Sequence, residues 1–138
     1  DMPNKKMNPY RGWEIYEKGI YDILTNLREN YGNILCYISE NGMGVEGEER
    51  FMDENGQIND DYRIEFVSNH LKYVHQAIQE GSNVQGYHMW TCMDNWSWTN
   101  AYKNRYGFIS VDLDNDGQRS IKKSGYWFKK LSKNNGFN

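Results

Sequence analysis

The pattern of hydrophobic and polar positions predicts three amphipathic helices, over residues 13–31, 61–80 and 122–131. In the first, apolar residues recur every three or four positions, and Gly32 follows where a helix would end. The second helix stops before Gly81. Its expected buried stripe consists of Phe66, Val67, Leu71, Val74, Ala77 and Ile78.

Two short apolar segments, residues 34–38 and 84–90, predict strands. The first has five consecutive apolar residues without polar alternation, which is typical of a strand buried on both faces. A hairpin is expected farther along the chain, with a strand at 107–111 and a turn at 114–117. The polar stretch over 45–61 is too long for a simple connection, and we expect it to form a lid or binding loop.

Predicted helices and strands alternate, as they do in βα units around a parallel sheet. Two parallel strands cannot complete such a sheet, because both would keep unpaired edges and parallel strands are normally covered on every side. We therefore expect residues 1–138 to be one segment of a larger α/β domain, with no domain boundary inside the chain.

Composition narrows the range of partners. The chain of 138 residues has a net charge of −3 and no basic tract, which argues against nucleic acid. No apolar segment approaches the length of a membrane span. Cys36 and Cys92 lack metal-ligand spacing and suit a reducing compartment. Eleven tyrosines and five tryptophans suit stacking on sugar rings, and core packing is the alternative explanation.

Glu40 is the leading candidate for chemistry. It directly follows the first apolar segment and precedes Gly42 and Gly44, which are expected to end the strand. Barrel enzymes place their chemistry at such C-terminal strand ends. A solvated loop carboxylate is the alternative.

Six motifs follow one another along the chain. They are Gly12-Trp13-Glu14-Ile15, Tyr37-Ile38-Ser39-Glu40-Asn41-Gly42, Gly86-Tyr87-His88-Met89-Trp90, Met93-Asp94-Asn95-Trp96-Ser97-Trp98, Arg105-Tyr106-Gly107-Phe108 and Val111-Asp112. In order and spacing they resemble glycoside hydrolase family 1. The resemblance covers nearly the whole chain but corresponds only to the C-terminal part of that family's (β/α)8 barrel: the sixth helix and the last two βα units.

The resemblance implies that Glu40 is the nucleophile of a retaining β-glycosidase, which forms a covalent glycosyl-enzyme while a second carboxyl protonates the leaving oxygen. In this family the second carboxyl belongs to a Thr-x-Asn-Glu-Pro type motif, which is absent here. We therefore expect the chain to be inactive alone and to need the N-terminal part of the barrel as its partner.

A second departure from the family points to the substrate. Ordinary members carry Asn-Phe-Glu-Trp where this chain has Asn95-Trp96-Ser97-Trp98, and a carboxylate there would repel a phosphate on the sugar. Serine, followed by a lysine and a tyrosine, resembles the family's 6-phospho-β-glycosidases. Ser97 and Tyr106 match as phosphate donors. The lysine position falls on Asn104, so either Lys103 reaches the phosphate or Asn104 supplies a neutral hydrogen bond.

Trp90 and Trp98 match family positions whose rings line the sugar site, with core packing as the alternative. The implied full-length enzyme hydrolyses 6-phospho-β-glucosides or 6-phospho-β-galactosides in a bacterial cytoplasm. Two alternatives stay open: a β-glucosidase for neutral sugars, and a non-catalytic carbohydrate-binding remnant.

No metal or organic cofactor is expected. Residues 112–117 copy the start of a calcium loop, but Lys123 stands at the twelfth position, where such loops carry glutamate. A polar turn explains the segment better. The three histidines show no metal-ligand arrangement.

Overall fold

The computed structural model describes residues 4–137. In chain order the elements are β1 (Lys6–Met7), β2 (Glu14–Ile15), α1 (Lys18–Asn30), β3 (Cys36–Asn41), β4 (Val45–Glu46), a 3-10 turn (Glu48–Phe51), α2 (Asp61–Gln79), β5 (Val84–Met89), β6 (Asn104–Arg105), β7 (Ile109–Asp112), β8 (Gln118–Ile121) and α3 (Lys123–Asn134).

The parallel pairing of β3 with β5 organises the fold. Ile38 lies opposite Tyr87 and Asn41 opposite Met89, which confirms the predicted parallel strands. Helix α2 connects them and packs against both α1 and α3. Apolar side chains of α2 form the core with residues of α1 and of the segment after β3. The buried ones are Leu24, Met43, Val45, Phe66, Val67, Val74 and Ala77.

The prediction that the first strand is buried on both faces is wrong for this chain. Ile34 and Leu35 precede β3 and are each 56% exposed, and Tyr37 within it is 60% exposed. In the described part of the chain, β3 has only β5 as a strand neighbour, so one edge and much of its surface stay open. The strand also extends through Asn41, so that Glu40 lies inside it and not after it.

Helix α1 begins at Lys18 and not at residue 13. Residues 14–15 pair instead with Lys6–Met7 in an antiparallel ribbon, and Gly12 at φ +81° makes the turn before it. The backbone pairing therefore overrides the helical spacing at this end. At the other end the prediction is confirmed. Tyr31 is the C-cap, its backbone N–H donates to the Leu27 carbonyl, and Gly32 follows at φ +68°.

Helix α2 lies where it was predicted, but its buried face differs. Ile78 is 40% exposed, against expectation. Arg63 and His70 are buried instead, and each forms a hydrogen bond with a backbone carbonyl, of Met43 and of Phe66 respectively. Residues 45–61, which we expect to form a lid or binding loop, contain β4, the 3-10 turn and the buried Glu48.

The predicted hairpin is confirmed as β7 and β8, with Asp112 opposite Gln118. Its turn carries Asp116 and Gly117 at positive φ. The Asp112 carboxylate accepts from the Asp114 N–H at 3.1 Å, which accounts for the aspartate spacing without a metal.

Within residues 4–137, no three acidic, histidine or cysteine side chains form a group that could hold a metal ion, and no helix is long and apolar enough to cross a membrane.

Candidate active site

Glu40 is the penultimate residue of β3, and its side chain is exposed. Its neighbour Asn41 fixes this strand end to β5 in two ways. The Asn41 carbonyl accepts from the Trp90 N–H at 2.9 Å, and the Asn41 side-chain oxygen accepts from the Tyr87 hydroxyl at 2.6 Å. Burial raises the pKa of Tyr87, which keeps that hydroxyl protonated and able to donate. Glu40 therefore stands on an anchored strand end beside Trp90.

Close backbone packing follows Glu40. A Cβ added at Gly42 would lie 1.9 Å from the Trp90 carbonyl oxygen, so only glycine fits between the two strand ends. Trp90 is 40% exposed, and the peptide bond after it is cis. A Cβ at Gly44 would lie 2.7 Å from the Tyr106 ring. The structure thus brings Trp90 and Tyr106 to the backbone that follows Glu40.

Ser97, Trp98 and Lys103 lie on the loop between β5 and β6, and Asn104 is the first residue of β6. Ser97 and Ala101 exchange backbone hydrogen bonds of 2.9 Å each and make a tight reversal. Trp98 is 90% exposed, and its ring meets only Trp96 among the described aromatic contacts, edge to face. In the described chain, therefore, Trp98 is not a core residue.

Lys103 and Asn104 differ sharply in accessibility. The Lys103 side chain is 61% exposed and forms an ion pair with Glu46 at 3.3 Å. Asn104 is only 4% exposed, and its side-chain oxygen has no hydrogen-bond partner. A ligand approaching from solvent would therefore reach Lys103 before Asn104.

A buried charge cluster, which the sequence analysis missed, lies under these segments. It comprises Glu48, Asp60, Arg63, Asp94 and Lys122, none more than 4% exposed. Lys122 donates to Asp94 at 2.9 Å and to Glu48, which also pairs with Arg63. Burial would raise the pKa of Glu48, but the two cations outweigh it and hold that pKa below its usual value. Arg63 stands three residues before Phe66, on the face of α2 that the apolar stripe defines, and that position was the available signal.

A pocket lies away from Glu40. It has a volume of about 670 Å³ and opens between α2, β5 and α3, lined by residues such as Leu71, Val84 and Phe128. Glu40 is not among its lining residues.

Sequence comparison identifies the class of protein that carries this strand-end glutamate. The model of glycosyl hydrolase family 1 matches residues 2–137, and the chain belongs to that family. Over 136 residues it is 74% identical to the 6-phospho-β-glucosidase GmuD of Bacillus subtilis (strain 168), covering 99% of this chain and 29% of that protein.

More distant relatives include enzymes named for phosphorylated and for neutral sugars. The 6-phospho-β-galactosidase of Streptococcus mutans is 44% identical over 87% of this chain and 25% of its own length. Beta-glucosidase A of Acetivibrio thermocellus is 42% identical over 91% of this chain and 27% of its own length. The solved family 1 β-glucosidase from Thermotoga maritima superposes with a TM-score of 0.90 at 35% identity, covering 100% of this chain and 30% of that structure. The chain thus spans less than a third of the length of these relatives.

Proposed function

We propose that this chain is the C-terminal segment of a retaining 6-phospho-β-glycosidase and supplies its nucleophile and its phosphate-binding loop. The observation that carries the proposal is the 74% identity to a 6-phospho-β-glucosidase over nearly the whole chain, against 42% to a β-glucosidase. Ser97, where neutral-sugar members carry glutamate, agrees with it. In this proposal α1, β3, α2, β5 and α3 form the sixth helix and the last two βα units of the barrel.

Glu40 attacks the anomeric carbon and forms a covalent glycosyl-enzyme, which water then hydrolyses with retention of configuration. The acid/base carboxyl, about 5–5.5 Å away in retaining enzymes, comes from the N-terminal part of the barrel. The anchoring of Asn41 to Trp90 and Tyr87 supports this role, because a nucleophile on a fixed strand end is pre-positioned for in-line attack.

Ser97 and Tyr106 donate to the phosphate on the sugar, and Lys103 supplies the positive charge. Lys103 is supported over Asn104 because it carries the positive charge and its side chain is 61% exposed. Tyr106 is itself only 6% exposed, so its role rests on the match to the family motif. Its partner Glu46 is itself 51% exposed, so a dianionic phosphate can compete for the lysine. Trp90 and Trp98 present exposed indole surface for stacking on the sugar.

The N-terminal part of the barrel is the first partner in this proposal. Ile34, Leu35 and Tyr37 expose large apolar surfaces along β3, where a neighbouring barrel strand and its helix would cover them. These surfaces disfavour a stand-alone carbohydrate-binding protein. Phosphorylated sugars arise during uptake, so we place the enzyme inside the bacterial cell.

The test uses a chimera in which this chain replaces the matching segment of the Bacillus subtilis 6-phospho-β-glucosidase. Its kcat/KM is measured for nitrophenyl β-glucoside and β-galactoside, each with and without a 6-phosphate. We expect a preference for the phosphorylated pair on the order of 10²-fold, since charge-assisted hydrogen bonds contribute about 1.5–3 kcal/mol each.

The variant Ser97→Glu should reduce that preference by at least about tenfold, because two like charges about 4 Å apart repel by a few kcal/mol near a protein surface. Ser132→Glu places the same charge on the exposed side of α3 and should change nothing. A chimera that prefers the neutral sugars would contradict the proposal and favour an ordinary β-glucosidase.

A further inference from the structure

Arg63 joins the backbone after the nucleophile to the backbone of the phosphate-binding segment. Its guanidinium Nη1 donates to the Met43 carbonyl at 2.8 Å and to the Tyr106 carbonyl at 3.1 Å. Met43 lies three residues after Glu40, and Tyr106 is the proposed phosphate donor. One nitrogen therefore bridges two segments that are 63 positions apart in sequence, as counted from residue 43 to residue 106.

The other guanidinium nitrogens hold this bridge in a fixed orientation. Nη2 donates to the Arg105 carbonyl at 3.3 Å and to the Glu48 carboxylate. Nε donates to Asp60 at 3.0 Å, and Asp60 in turn accepts from the Ser124 N–H at 2.8 Å. With Arg63 fully buried, water cannot replace any of these partners.

A second buried cation continues the same connection toward β5. Lys122 joins Glu48 to Asp94, four residues beyond Trp90, and Asp94 accepts from the Gly107 N–H at 2.9 Å. The segments that follow β3, β5 and β6 are thus fixed to one another through a continuous network of charges.

We propose that Arg63 is a positioning residue that sets the distance between the nucleophile and the phosphate-binding segment, and through it the preference for phosphorylated substrates. This inference rests on the proposed function. Loss of a residue that only stabilised the core would change the rates for phosphorylated and neutral substrates by the same factor. Arg63 instead binds the backbone after Glu40 and the backbone of Tyr106, so its loss changes the position of the phosphate donor relative to Glu40.

The test is Arg63→Lys in the chimera. Lysine keeps the charge, but its single ammonium cannot reproduce the planar set of five N–H donors that reaches three segments. The measured quantity is the ratio of kcat/KM for the phosphorylated glucoside to that for the neutral glucoside. Rates are expressed per active site. The active sites are counted with a 2-deoxy-2-fluoro glycoside that traps the covalent intermediate, so that unfolded protein does not contribute to the enzyme concentration.

We expect the ratio to fall by about tenfold or more, because a displacement of about 1 Å can cost on the order of 10²-fold in rate. Val74→Ala is the matched control. It destabilises the other core cluster, with Leu24 and Ala77, away from the Arg63 network, and should leave the ratio unchanged while lowering the Tm.

Three results are distinguishable. A wild-type chimera with no preference for phosphate contradicts the proposed function itself. A wild-type preference that survives unchanged in Arg63→Lys overturns the positioning role. Should Arg63→Lys yield no folded protein, Asp60→Asn is measured instead. It removes the charge that holds Nε and leaves the guanidinium in place, so a smaller fall in the ratio is expected, and an unchanged ratio again overturns the role.

Discussion

Replacing Gly42 by alanine directly tests the backbone packing beside Glu40, the proposed nucleophile. The added Cβ would lie 1.9 Å from the Trp90 carbonyl oxygen and 2.9 Å from its carbonyl carbon, and both are backbone atoms that no rotamer change can move. Since Cβ contacts in proteins stay at 3.0 Å or more, the strand ends must separate by at least 1.1 Å. The substitution therefore displaces either Glu40 or Trp90 from its position in the proposed sugar site.

A displacement of about 1 Å costs on the order of 10²-fold in rate, which is about 3 kcal/mol of transition-state stabilisation. Overpacking of this kind also costs about 1–3 kcal/mol of stability. The assay is kcat/KM per active site in the chimera, with Tm by calorimetry. Gly136→Ala is the control, because it meets no atom within 4 Å and its φ is not positive. Gly42→Ala with rates within twofold of wild type and an unchanged Tm would refute the close approach of Gly42 to Trp90.

Two further predictions concern stability in the same chimera. Lys122→Met removes one of the two cations paired with the buried Glu48 and the buried cation paired with Asp94, and should lower the free energy of unfolding by about 3–5 kcal/mol in urea titrations. Lys129→Met, at an exposed position of α3, should change it by less than about 0.5 kcal/mol. Burial lowers the pKa of His70, so the unfolded chain binds the proton more readily. The contribution of neutral His70 to the free energy of unfolding should be fully present above about pH 6.5 and should be lost as the pH falls through the folded-state pKa. His70→Phe should flatten this part of the plot of stability against pH. Glu48, with its pKa held below the usual value, should add a second loss below about pH 4.5.

The spacing of apolar residues and the turn residues were sufficient to predict the elements whose bounds depend on nearby residues. Helix α2, strand β5 and the β7–β8 hairpin lie close to the bounds predicted for them, although the buried face of α2 differs from the predicted stripe. The start of α1 was not predictable from helical spacing, because residues 14–15 pair with a segment earlier in the chain. The exposure of Tyr37 is the opposite case: its apolar strand pattern predicts burial, but no described strand covers that side of β3.

The residues of the candidate site also fall into two groups, those predicted from the sequence and those found only in the structure. Glu40, Ser97 and Tyr106 are predicted from motifs, because the family ties these proposed roles to fixed positions in the sequence. Arg63 lies on the apolar face of α2, which was a weak signal, because a charged residue is rarely buried fully and the carbonyls that bind this one are distant in sequence. Lys103 and Asn104 were indistinguishable by sequence, and only their burial separates them.

Covalent trapping tests the central claim most directly. The chimera is incubated with an activated 2-deoxy-2-fluoro-β-glucoside carrying a 6-phosphate, digested, and analysed by mass spectrometry, with Glu40→Gln as the control. The account predicts one label per chain, on the peptide containing Glu40, formed much faster than with the unphosphorylated reagent and absent in the control. A label on another carboxylate, or faster labelling by the unphosphorylated sugar, would contradict it.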